Sequence, residues 1–229
     1  MMEILRRCSM NLVILVFIIF LVSLYAYINI KYSKYSKRKL INGKTGFEIS
    51  REIIDNYDLN SVYITESREE LYSMYDYKRK VIKLVKGVFG DDSLTSCAIS
   101  AMTASYAILD KRKDKLFTLK KQLEQFLYIL IYIGYLIIII GSIFGHIKTI
   151  WLGFGLEIIV VVFHIFTYNV ERKAKEIALN ELLGNKIIKL KEKKKIIELL
   201  NVSSYICIAS AAFPIAELLR RIYEFGKSD

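Results

Sequence analysis

The chain has 229 residues, 54% of them hydrophobic, with a single proline and a mean hydropathy of +0.33, a balance that excludes a disordered chain and points to a membrane protein of one or two domains. Three separated cysteines, Cys8, Cys97 and Cys207, make no pattern and argue against a disulfide framework, and no compartment follows from them. The net charge of +11 crowds beside the apolar runs, at Lys31–Lys39, Lys111–Lys121 and Arg172–Lys175, which fits a bilayer with anionic head groups and excludes nucleic acid as the expected partner.

Asn11–Ile30 is twenty residues without a charge, enough for a helix to cross a hydrocarbon core of about 30 Å. A cleaved signal peptide is the rival, but the run is too long for one and no small-x-small site follows it, so residues 1–30 are expected to be an N-terminal anchor. In the following K-Y-S-K-Y-S-K-R-K, tyrosines alternate with cations as they do at head-group level. A soluble segment is expected over 31–122. Thr45-Gly46-Phe47-Glu48 has the spacing of a capping box, and Phe47, Ile49, Ile53, Ile54 and Tyr57 fall near one face, predicting an amphipathic helix over Thr45–Tyr57. Val62–Thr65 and Val81–Val85 read as strands, and Leu71–Tyr77 as a third that turns at Asp76–Arg79 into a β-hairpin. Asp91–Asp110 is a run of small and apolar residues with Asp92 or Ser93 as cap, the composition of a helix buried on more than one side. Lys111–Lys121 suits either an interfacial segment, with Leu116, Phe117 and Leu119 in the lipid, or a solvated linker.

Residues 123–168 hold two further apolar runs, Phe126–Gly145 and Ile147–Tyr168, joined at His146–Lys148, which predicts a transmembrane hairpin. Cations before the first and after the second place 31–122 and 170–200 in the cytoplasm. Glu157, His164 and Glu171 are seven apart, so they share a stripe of a helix; ionisable groups there usually face protein, and hydrogen bonding between helices is their expected role. Over 169–200 a helix breaks near Gly184-Asn185, and Ile187–Leu200 resumes as an amphipathic one. Val202–Leu219, within 201–222, has Ser203, Cys207 and Ala211 at intervals of four and Pro214 as a kink, predicting a fourth membrane-associated helix before the tail 223–229. The expected fold is thus a mainly α-helical multi-pass membrane protein of three or four spans with a small cytoplasmic α+β subdomain, a β-hairpin beside a buried helix.

Several blocks, in order, resemble a bacterial family of integral-membrane neutral zinc metallopeptidases (YugP-type). They are Thr45–Glu48, Tyr75-Asp76, Val81–Leu84, the small-residue helix, and Val170-Glu171-Arg172-Lys173-Ala174. The resemblance implies that the buried helix stands where family members carry H-E-x-x-H followed by Ala-Ile. Here that register reads Met102-Thr103-Ala104-Ser105-Tyr106-Ala107-Ile108, so Met102, Thr103 and Tyr106 occupy the former motif positions. Histidines at i and i+4 can grip one zinc ion while the glutamate polarises its water. A thioether suits copper(I), a phenol rarely binds zinc, and a threonine hydroxyl is no general base at neutral pH. A histidine expected before Tyr75 is Met74. Tyr75, Asp76 and Glu171 remain from the family pattern as a residual site, too few to hold zinc. The resemblance therefore implies no metal cofactor although the family uses zinc, and a catalytically inactive relative with a binding or regulatory role, paired with a membrane protein or an active paralogue. An active membrane peptidase with atypical ligands and a purely structural membrane protein are the alternatives.

Overall fold

The computed structural model describes residues 2–67 and 72–206; the side chains of most of the first twenty-one residues and of 125, 128, 164 and 166 lie outside that description. The chain is mostly helical with one small sheet, in the order α1 (Met2–Ser36), α2 (Gly46–Asp55), β1 (Tyr63–Ser67), β2 (Met74–Asp76), β3 (Val81–Val85), α3 (Lys86–Phe89), α4 (Leu94–Lys111), α5 (Lys115–Ile143), α6 (Ile147–Phe166), α7 (Tyr168–Gly184) and α8 (Leu190–Ser204). It divides into two compact units, one formed by Ile28–Gln122 with Thr167–Tyr205, the other by the described residues up to Tyr27 together with Leu123–Phe166.

The larger unit is built around α4. Ser93 caps it, its hydroxyl accepting from the Ser96 amide at 3.1 Å, and fifteen of its eighteen residues are buried. Runs such as Cys97-Ala98 and Ala104-Ser105 offer little side-chain bulk, so α2, α7 and α8 can each close on a different side of one helix. Burial pushes the Cys97 thiol up, with Glu192 adding to the effect, which leaves it an inert packing group.

The capping box forms as expected. Thr45 accepts from the Glu48 amide at 3.3 Å and Glu48 Oε2 accepts from the Thr45 amide at 2.7 Å. Ile49, Ile53 and Ile54 are fully buried, whereas Phe47 stays at the surface and meets Phe89 at 5.1 Å. Gly46 has a steric reason to be glycine. A Cβ there would lie 2.2 Å from the Val88 carbonyl oxygen and 2.5 Å from Ser100 Oγ. Gly46→Ala is therefore expected to cost about 1–3 kcal/mol, read as a lower melting temperature with the packing of Lys115–Ile143 against Ile147–Phe166 unaffected.

β2 and β3 form the expected hairpin, with Met74 opposite Lys83 and Asp76 opposite Val81. The third strand joins differently from a meander: β1 pairs parallel to the far edge of β3, Tyr63 opposite Val81, giving the order β1-β3-β2. Ile82, Leu84 and Tyr75 turn into the core shared with α4.

Three stretches fold differently from expectation. The tyrosines after the N-terminal apolar run are held by the larger unit: Tyr35 donates to Glu198 at 2.6 Å, Tyr32 pairs with Ser203 at 2.7 Å, and the Tyr32 carbonyl accepts from Thr95 at 2.9 Å. The charged run Lys111–Lys121 is helical from Lys115, where α5 begins, and it buries Phe117 in the α4 core while Leu119 stays exposed. Finally, α8 extends to Ser204 with Val202, Ser203 and Ser204 buried, so the start of the expected fourth span belongs to this unit. The rest of Val202–Leu219, from 207 onward, lies outside the described residues.

In the smaller unit α5 and α6 lie against each other through glycines. A Cβ on Gly134 would sit 2.6 Å from Glu157 Oε1, one on Gly153 would sit 2.6 Å from the Gly134 carbonyl, and one on Gly141 would reach Ile150 at 2.9 Å. This is close small-residue packing of the kind that holds helices together in lipid. Gly145, at φ +67°, makes the turn between them. Among the described residues one helical stretch, Ile147–Gly184, is long and apolar enough to cross a membrane, and Lys115–Glu124 with Ile129–Ile143, bent by 41°, is a second if the two pieces count as one span. By length and composition these are one or two candidate spans among the described residues, where three or four were expected. The apolar run Asn11–Ile30 lies within α1, a helix of 35 residues.

Candidate functional site

One line along α4 reads Met102, Tyr106, Asp110, each four residues after the last and so stacked on one side of the helix. Met102 is buried in the core, 3% exposed. Tyr106 donates its hydroxyl proton to Glu171 Oε2 on α7, and Lys120 on α5 donates to Oε1, so each oxygen of that carboxylate has a donor. The pair is deep: the Glu171 side chain is 2% exposed and that of Lys120 12%.

The local sequence explains how these groups meet. Glu171 falls in the first turn of α7, where backbone amides favour an anion, and Val170, Ala174 and Ala178 are small enough to share the core of α4. On α5, Phe117, Lys120 and Lys121 are spaced i, i+3, i+4 and point the same way. Phe117 stacks on the Tyr106 ring at 6.1 Å and the Lys120 ammonium lies 5.3 Å from the centre of that ring. Packing thus fixes the ammonium before it meets the carboxylate.

A second buried carboxylate lies one helical turn further along α4. Asp110 accepts from Lys121 at 2.6 Å, from the Tyr75 hydroxyl at 3.0 Å and from Lys80. Burial alone would raise the Asp110 carboxyl, yet Lys121, Lys80 and Tyr75 outweigh it and hold the group below the usual carboxylate range. Burial, followed by the charge of Asp110, pushes the Tyr75 hydroxyl above the ordinary tyrosine range, so it remains a proton donor at neutral pH.

The residues singled out from sequence are thus divided. Tyr106 and Glu171 are brought into contact. Tyr75 goes to Asp110, and Asp76 caps its own turn, accepting from the amides of Lys78 and Arg79 at 3.1 Å each. Thr103 is 3% exposed and donates to the Ile99 carbonyl at 2.8 Å. Glu157 belongs to the smaller unit, where its buried carboxyl packs against Gly134 without a hydrogen-bond partner among the described residues. The His164 side chain lies outside the described residues. Lys120, Lys121, Lys80 and Asp110 escaped the sequence reading. The available signals were the spacing of Asp110 from Tyr106 and the three inward positions on α5.

Residues 10–225 match the model of a family described as "Putative neutral zinc metallopeptidase". The chain belongs to this family. It is also 25% identical over 194 residues, 85% of this chain and 86% of the relative, to a Bacillus subtilis (strain 168) protein named "Putative membrane protease YugP". No solved structure matches.

Membership in the neutral zinc metallopeptidase family raises the question whether these residues fit the metal. Zinc takes thiolate, imidazole or carboxylate donors at about 2.0–2.3 Å. Around Glu171 the chain offers a thioether at Met102, a phenol that donates its proton at Tyr106 and an ammonium at Lys120. None of these is such a donor, and the one carboxylate is already bonded at both oxygens. Among the described residues no three His, Cys, Asp or Glu side chains converge. The residues around Glu171 do not fit zinc, and the arrangement is chemically a closed ion pair with a phenol.

Proposed function

We propose that this chain is a catalytically inactive member of the neutral zinc metallopeptidase family that serves as a binding or regulatory protein of the cell membrane. The observation that carries this reading is the engagement of both Glu171 oxygens, one by the Lys120 ammonium and one by the Tyr106 hydroxyl, which neutralises the carboxylate from within the chain. The Thr103 hydroxyl, in the place of a general base, is turned back on the helix. The reading adds a multi-pass arrangement of three or four spans with the larger unit in the cytoplasm, supported by the cations that flank the apolar runs. The partner it implies is a membrane protein, an active paralogue among the candidates, held beside anionic lipid. That step is analogy from fold, because a scaffold that has lost its chemistry can retain its surfaces.

Family membership and the name of the Bacillus relative favour the opposite reading, an active membrane protease with unusual ligands. The two separate in one assay. Full-length protein purified in detergent and supplied with zinc is offered a peptide library, with and without a chelator. No chelator-sensitive cleavage is expected, and cleavage that disappears in Glu171→Gln would overturn the proposal. Binding is read separately, from a membrane partner that co-purifies with the natural chain.

A further inference from the structure

The positive charge beside Glu171 is a covalent part of the chain. We propose that Lys120 is a built-in counter-cation that takes the electrostatic place of a metal ion at Glu171, so that this scaffold accepts zinc only when the ammonium is removed as well as the ligands restored. The inference rests on the reading that the natural site is not a metal site, and it assigns to Lys120 a positioning role for which the family match gives no residue.

Three observations support it. The carboxylate of Glu171 is 2% exposed and needs a partner of opposite sign. Lys120 is itself 12% exposed, with its ammonium against the Tyr106 ring, so it cannot withdraw to solvent without disturbing the packing of Phe117 on that ring. The neighbouring Lys121 is engaged by Asp110, so the two successive lysines are each assigned to a different buried acid. A divalent ion bound at Glu171 would face the Lys120 ammonium within a buried, weakly screened space, and the two like charges would repel. Restoring M102H, T103E and Y106H supplies nitrogen and oxygen donors but leaves the Lys120 charge beside Glu171, because the buried Phe117 one turn earlier still holds that part of α5 in the core.

The test compares two full-length proteins in detergent, M102H/T103E/Y106H with Lys120 kept and the same protein with K120M. Each is titrated with zinc against a chelating dye, its bound zinc is counted by elemental analysis, and its melting temperature is recorded with and without the metal. The expected result is about 10–100-fold tighter zinc binding after K120M, the range seen when a group next to a metal site is changed, with a zinc-dependent rise in melting temperature. Equal affinity in the two proteins, or tighter binding with Lys120 kept, would overturn the inference. Should the methionine version fail to accumulate, K120Q takes its place under the same titration. Failure of both to accumulate even with zinc supplied throughout also counts against the inference, since zinc would then not replace the ammonium. Peptide cleavage by the natural chain bears only on the proposed function, and equal zinc affinities bear only on the role of Lys120.

Discussion

Lys120→Met is expected to destabilise the larger unit by about 3–5 kcal/mol, because it leaves a buried carboxylate with a single phenol donor in place of its counter-ion. Both partners are nearly inaccessible, so solvent screening does not dilute the effect. For a unit of this size the loss corresponds to a fall of roughly 10 °C or more in melting temperature. The control is Glu171→Gln. An amide at that position still accepts from Tyr106 but carries no charge, so Lys120→Met in the Glu171→Gln background should cost far less than in the natural chain. A cost that is equal in both backgrounds would mean that Lys120 acts through its aliphatic stem and not through the pair.

The second large effect is at Asp110. Asp110→Ala removes the acceptor of the buried Tyr75 hydroxyl and the charge between Lys80 and Lys121, for an expected cost of about 3 kcal/mol. Most of it comes from Tyr75 and Lys121, since Lys80 is half exposed and its pairing is screened. Asp110→Asn keeps the shape and should cost less. The pH dependence has a definite sign. The folded carboxyl titrates below its unfolded value of about 3.9, so its contribution is complete above that pH and is lost as the pH falls through the folded value. The natural chain should therefore lose stability below about pH 4, and Asp110→Asn should flatten that part of the curve. An unchanged acid limb would show that the lysines around Asp110 do not stabilise its ionised form.

Much of the framework could be read from the residues because the signals are local. Thr45 and Glu48 satisfy each other within one helical turn, Ser93 caps the helix that follows it, and the small residues of α4 announce burial on several sides. The end of α7 at Gly184 is local too, although the left-handed residue after it is Lys186, not the glycine. The site was harder, because its decisive contacts join residues distant in sequence. Nothing in K-K at 120 and 121 distinguishes a lysine that meets a buried acid from one that faces lipid or water. Only the docking of α5 on α4 through Phe117 decides it. The same holds for Tyr32 and Tyr35, whose partners lie on α8, and for β1, whose parallel pairing to β3 has no turn of its own to reveal it. The stripe of Glu157, His164 and Glu171 followed from spacing alone. The chain passes from one compact unit to the other between Phe166 and Thr167, which puts Glu157 in one unit and Glu171 in the other.

The family resemblance named the place on α4 and α7 to look at, and the side chains there supplied the rest. A phenol and an ammonium on a buried carboxylate are a self-contained arrangement, stable without any added ion. The most direct measurement is the zinc content of the natural full-length protein, purified in detergent without chelators and compared with Glu171→Gln prepared the same way. The expected result is no zinc above the level of the variant. One tightly held zinc ion per chain, lost in Glu171→Gln, would contradict the account.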